Sequence, residues 1–123
     1  IFGDQYQDAD LAIASERCIV TCEELVSDEE IRREPGKNSI PGFLVDAVVH
    51  LPYGGHPMQC SGYYDYDQDF LHMYDKAGRT AEGFQSFLDE WVYGTGNHNG
   101  YLDRLGGSRL AGLRVTPGLG YVK

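Results

Sequence analysis

The sequence predicts an α/β fold, on three observations. The segment Phe43 to Leu51 is apolar on both faces, with Val45, Ala47, Val49 and Leu51 alternating with Leu44, Asp46, Val48 and His50. A strand of that kind is covered on both sides, which favours helices layered on a sheet over a one-sided antiparallel sheet. Helical patterns flank it, the clearest at Ala81 to Tyr93, where Phe84, Phe87, Leu88 and Trp91 form one apolar stripe. A second strand pattern, Cys18 to Val26, opens with β-branched residues.

The remaining elements follow from local chemistry. Asp8 is placed to cap a short helix from Ala9 to Glu16, with Leu11, Ala12 and Ser15 on one face. Ser27 with Glu30 fits a capping box, and the helix it starts ends at Pro35-Gly36. Lys37 to Gly42 reads as a loop. Asp69 to Ala77 reads as a helix carrying Phe70, Met73 and Tyr74, closed by Gly78. Thr80 caps Ala81 to Tyr93, and Gly94 and Gly96 stop it. Asn97 to Leu105 suggests another short helix. The glycine-rich tail, GGSRLAGLRVTPGLGYVK, suggests a last strand at Leu113 to Thr116.

The 123 residues suffice for a real core, and residues 1–123 read as a single domain. A formal net charge of −9, with scattered Lys and Arg, argues against a nucleic-acid partner. No run approaches the ~18 apolar residues of a membrane span. The start, IFGDQYQDAD, shows no signal-peptide pattern and no initiator Met, which favours a fragment of a longer chain. Cys18, Cys22 and Cys60 are an odd, low count, which reads as the reducing cytoplasm.

The motifs that carry chemistry are sparse. His50, His56 and Cys60, and the pair Cys18 and Cys22, match no zinc spacing, so no metal site is expected. Asp65, Asp67 and Asp69 resemble the start of a calcium loop, but Phe70 and Lys76 stand where Gly and Glu are needed. An acidic loop capping the following helix is the plainer reading. No nucleophile elbow and no Cys-His signature is present. Glu23 and Glu24 end a strand, and a carboxylate there could attack a thioester; a solvated turn is the plainer reading.

The stretch after Leu51 is the best candidate site. Tyr53, Gly54, Gly55 and His56 form a loop directly after the apolar strand, where α/β proteins hold ligands. The glycines permit close backbone approach to a ligand. His56, between Gly55 and Pro57, could donate a hydrogen bond to a carboxylate or thioester oxygen, or only pack. Tyr53, Tyr63, Tyr64 and Tyr66 could wall a pocket or form an interface with another chain.

The segments ASERCIVTCEELVSDEEIRREP, PGFLVDAVVHLPYGGHP, GYYDYDQDFLHMYD, FLDEWVYG, HNGYLDRLG and VTPGLGY extend across nearly the whole chain. In that order they resemble the C-terminal part of the α subunit of family I coenzyme A transferases, the glutaconate CoA-transferase-like group. The resemblance implies an open α/β fold with a mainly parallel sheet and flanking helices. It implies a ping-pong reaction, with acyl-CoA and a free (di)carboxylic acid as substrates, no permanently bound cofactor, and a glutamyl-CoA thioester formed on a β subunit in a hetero-oligomer. No glutamate here lies in the sequence context of that nucleophile, so no catalytic residue is assigned. Two other readings stay open: a hydrolase that opens the ring of a cyclic CoA thioester, and a non-catalytic structural part.

Overall fold

A computed structural model describes residues 7–116. The chain divides into two compact units, one ending at Gly54 and one beginning at Gly55.

The first unit is built on two parallel strands, β1 (Ile19–Cys22) and β2 (Ala47–His50), paired from Ile19 opposite Ala47 to Cys22 opposite His50. Helices α1 (Asp8–Ala14) and α2 (Asp28–Arg33) belong to it. Ser27 caps α2 as its sequence suggests, its hydroxyl accepting from Glu30 N–H at 3.3 Å. Helix α1 begins a residue early and has no side-chain cap. Asp46 ties the entry of β2 to that of β1: its carboxylate accepts from Cys18 N–H at 2.8 Å and from Arg17 at 2.9 Å. The Cys18 N–H, then Arg17, hold the Asp46 carboxyl below its ordinary range.

Two expectations for this unit are corrected. The strand expected at Phe43 to Leu51 is shorter, because Gly42–Leu44 forms a 3₁₀ turn before it. It is not covered on both faces either. All of β2 is exposed, Val48 at 49% and Val49 at 41%, and among the described residues the sheet has two strands.

The second unit is helical: α3 (Gln68–Ala77), α4 (Ala81–Leu88), α5 (His98–Leu105) and α6 (Gly107–Leu113). Asp67, Thr80 and Asn97 cap α3, α4 and α5, each accepting from the backbone N–H three residues on. The helix expected to run to Tyr93 stays α-helical only to Leu88, then widens into a π-helical turn, Asp89–Tyr93. The apolar stripe does its expected work. Phe70 of α3, 4% exposed, meets Phe87 and Trp91 edge-on, with ring centroids 5.7 and 4.9 Å away. Tyr74 meets Phe84 and Phe87 in the same manner.

Helix α6 forms within the glycine-rich tail, where no helix is expected. Gly106, at φ 85°, turns the chain out of α5 in a conformation that favours glycine. In place of a strand at Leu113 to Thr116, Arg114 makes a single antiparallel bridge to Tyr64. The end of the tail, 117–123, lies outside the described residues. No helix among the described residues is long and apolar enough to cross a membrane.

Candidate functional site

The candidate loop is shared out by the division of the chain: Tyr53 and Gly54 close the first unit, and Gly55 and His56 open the second. Each part is held by a different device.

In the first unit the carboxyl ends of β1 and β2 lie side by side. Leu51 N–H donates to Cys22 O at 2.9 Å. His50 Nε2 donates to Glu23 O at 3.1 Å, since a carbonyl only accepts. Tyr53 N–H donates to the Glu23 carboxylate at 2.7 Å. Tyr53 has φ 58°, the one non-glycine residue with positive φ among those described. Gly54 N–H then closes the turn on Leu51 O at 2.8 Å. A Cβ at Gly54 would stand 2.7 Å from that same carbonyl, so the turn admits no side chain there.

In the second unit, the side chain of His56 is interior. No part of its side chain is exposed, and Asp67 beside it is 4% exposed. A carboxylate only accepts, so Nε2 carries a proton and donates to Asp67 Oδ2 at 3.0 Å. In the neutral ring, Nδ1 accepts from the Tyr101 hydroxyl at 2.6 Å. The ring packs edge-on against Phe70, 5.0 Å between centroids. The hydrogen bond expected from His56 to a ligand oxygen therefore has no free ring nitrogen in this arrangement. Gly55 N–H, next to it, donates to the hydroxyl of Tyr64, which is 2% exposed.

Asp67 is the hub of this unit. Besides His56 it accepts from Phe70 N–H at 3.0 Å, from Arg109 Nη2 at 2.6 Å and from Arg109 Nε. Burial pushes its carboxyl up. The bonds from Arg109, His56 and Phe70 N–H outweigh that and hold it well below the usual carboxylate range. The same pairing raises Arg109. Burial, then the nearby Asp67 charge, pushes the Tyr101 hydroxyl up to about 12.

Asp67 and Arg109 also line an open groove of about 750 Å³, with Asp65, Tyr66, Asp69 and the Gly106–Arg109 turn around it. Tyr63 and Tyr66 are exposed, while Tyr64 is spent on packing. Of the calcium-like triplet, Asp67 caps α3 and Asp65 accepts from Tyr66 N–H at 2.8 Å.

Tyr101 and Arg109 are the residues that sequence reasoning misses, and Asp67 is met there only in the calcium-like triplet and the acidic cap. Asp67 carries a readable signal as a helix cap, but its partner 42 residues away does not.

No family model matches the chain. It is 57% identical, over 98% of its length, to the A-type chain of glutaconate CoA-transferase from Acidaminococcus fermentans, of which it covers 38%. It is 38% identical, over 68% of its length, to the A-type chain of 3-oxoadipate CoA-transferase from Pseudomonas knackmussii, covering 29% of that protein. The crystal structure of glutaconate coenzyme A-transferase from Acidaminococcus fermentans superposes with a TM-score of 0.90 at 56% identity, over all of this chain and 39% of that one. The chain thus spans less than two fifths of the length of these relatives.

Proposed function

The chain is a homologue of the A-type chain of family I CoA-transferases over a partial region of that chain, and from this premise we propose that it takes part in moving CoA from an acyl-CoA to a free carboxylic acid. The observation that carries this reading is the joint agreement in sequence and fold with a glutaconate CoA-transferase along essentially the whole chain.

In this reading the chain is the C-terminal part of an α subunit and works with a β subunit. A glutamate carboxylate of the β subunit attacks the acyl-CoA carbonyl, giving a mixed anhydride and the CoA thiolate. The thiolate attacks the glutamyl carbonyl and releases the first acid, leaving a glutamyl-CoA thioester. The incoming carboxylate reverses the sequence and departs as the new acyl-CoA. CoA is a substrate throughout and no cofactor stays bound.

Tyr53, Gly54, Gly55 and His56 are our proposed substrate-binding stretch. Tyr53 and Gly54 offer surface at the carboxyl edge of parallel strands, where α/β ligands bind. His56, bonded to Asp67 and Tyr101, holds the chain next to Gly55. The three cysteines, free of disulfides, fit a cytoplasmic setting.

The test is to assemble the full α subunit with its β subunit and supply glutaconyl-CoA or glutaryl-CoA with free acetate. Mass spectrometry then follows the CoA products. Acetyl-CoA supports the transferase. Free CoA without acetyl-CoA, or a ring-opened thioester from a cyclic substrate, removes it in favour of hydrolysis.

A further inference from the structure

We infer that Glu23 is a positioning residue: its carboxylate holds Tyr53 in the left-handed backbone conformation and so sets how the loop is presented at the carboxyl edge of the sheet. The inference deepens the transferase reading, and its kinetic arm rests on it.

The argument starts from the backbone. A residue with a large side chain rarely adopts positive φ, because its Cβ crowds the neighbouring carbonyl. Tyr53 does so at φ 58°, so the surrounding structure must hold it there. The chain on its far side offers no slack. Gly54 N–H is bonded to Leu51 O at 2.8 Å, and a Cβ at Gly54 would collide with that carbonyl.

On the near side the tie is the Glu23 carboxylate, accepting from Tyr53 N–H at 2.7 Å. A bond to an ionised acceptor is about twice as strong as a neutral one, which suits it to oppose local strain. Glu23 is itself held. It follows β1 directly, and its carbonyl accepts from His50 Nε2 on the neighbouring strand at 3.1 Å. The adjacent bond, Leu51 N–H to Cys22 O, locks the strand ends at 2.9 Å. A glutamate at a strand end, which sequence alone offers as a nucleophile or a solvated turn, is here a backbone clamp.

This role differs from a chemical one in what it requires of the side chain. A clamp needs an oxygen that accepts, which glutamine keeps. A nucleophile or proton carrier needs the carboxylate. Glu23→Gln and Glu23→Ala therefore separate the two.

Both variants are made in the full-length protein, which is assayed together with its partner, and amide hydrogen exchange at Tyr53 is measured on the same proteins. Glu23→Ala is expected to raise the KM for acyl-CoA about tenfold while kcat changes less than about twofold. It is also expected to speed Tyr53 amide exchange. Glu23→Gln, whose neutral amide oxygen still accepts but more weakly, is expected to restore most of both. Equal loss of kcat in Glu23→Gln and Glu23→Ala would overturn the inference, since the charge would then be doing chemistry. So would unchanged Tyr53 exchange in Glu23→Ala. If the unmodified assembly transfers no CoA, the transferase reading falls, and Tyr53 exchange alone decides whether the clamp exists.

Discussion

Asp67 accepts a hydrogen bond from His56 at 3.0 Å while the same carboxylate is gripped by Arg109, and neither Asp67 nor His56 shows more than a trace of its side chain to solvent. A buried carboxylate shared between an imidazole and a guanidinium behaves as one unit. Removing it strands both partners.

Asp67→Ala is therefore expected to lower the stability of the chain by about 3 kcal/mol, the lower end for breaking a buried pair because Arg109 remains a third exposed. Asp67→Asn is expected to cost less, since an amide oxygen still accepts. Urea unfolding followed by circular dichroism reads both. Equal stability of Asp67→Ala and the parent chain would show that the pair contributes nothing net.

The pH dependence has two arms with opposite sign. Asp67 has a folded-state pKa below its unfolded value, so its contribution is complete above the ordinary carboxylate value of 3.8 and is lost as pH falls toward the folded value. Tyr101 has a folded-state pKa raised from 10.0 to about 12, so its contribution is complete below pH 10 and fades as pH rises through about 12. Thermal melts across both ranges are expected to show Asp67→Asn flattening the acid arm and Tyr101→Phe the alkaline arm.

Gly54→Ala and Gly36→Ala form an internal control. At Gly54 an added Cβ meets a backbone carbonyl at 2.7 Å, which cannot move without distorting the turn. At Gly36 it meets nothing within 4 Å. Gly54→Ala is expected to destabilise by ~1–3 kcal/mol, and Gly36→Ala to be neutral or slightly stabilising. Equal melting temperatures would refute the close approach at Gly54.

Phe70→Ala is expected to be the most damaging single change in the second unit. Its ring contacts His56, Phe87, Trp91 and Tyr101 edge-on. Truncation of such a core aromatic costs ~3–5 kcal/mol. Near-ultraviolet circular dichroism, which reports the packing of Trp91 and its neighbours, is expected to collapse with it.

Local chemistry made much of this fold legible. Ser27 and Thr80 announce their helices because a cap acts within three residues, and the Phe87, Trp91 spacing shows which face meets Phe70. Helix α6 is not legible, because Gly107 and Gly112 lower its intrinsic propensity and tertiary contacts with α5 offset that loss. The strand pattern at Phe43 to Leu51 overstates β2, since apolar residues on both faces do not reveal where a 3₁₀ turn precedes a strand. At the loop, the close backbone packing at Gly54 and Gly55 is readable from their type. The burial of His56 is not, because it depends on Tyr101 and Arg109, far along the chain.

Arg109 reaches back 42 residues to Asp67. During synthesis, then, His56 and Asp67 leave the ribosome long before the guanidinium that neutralises their shared site. Until α6 emerges and docks, Asp67 lacks its strongest partner and the Phe70 ring lacks the guanidinium that lies over it. Final ordering of the Gly55–His56 segment is thus coupled to α6, and the anchor and the helix that completes it mature in the same step.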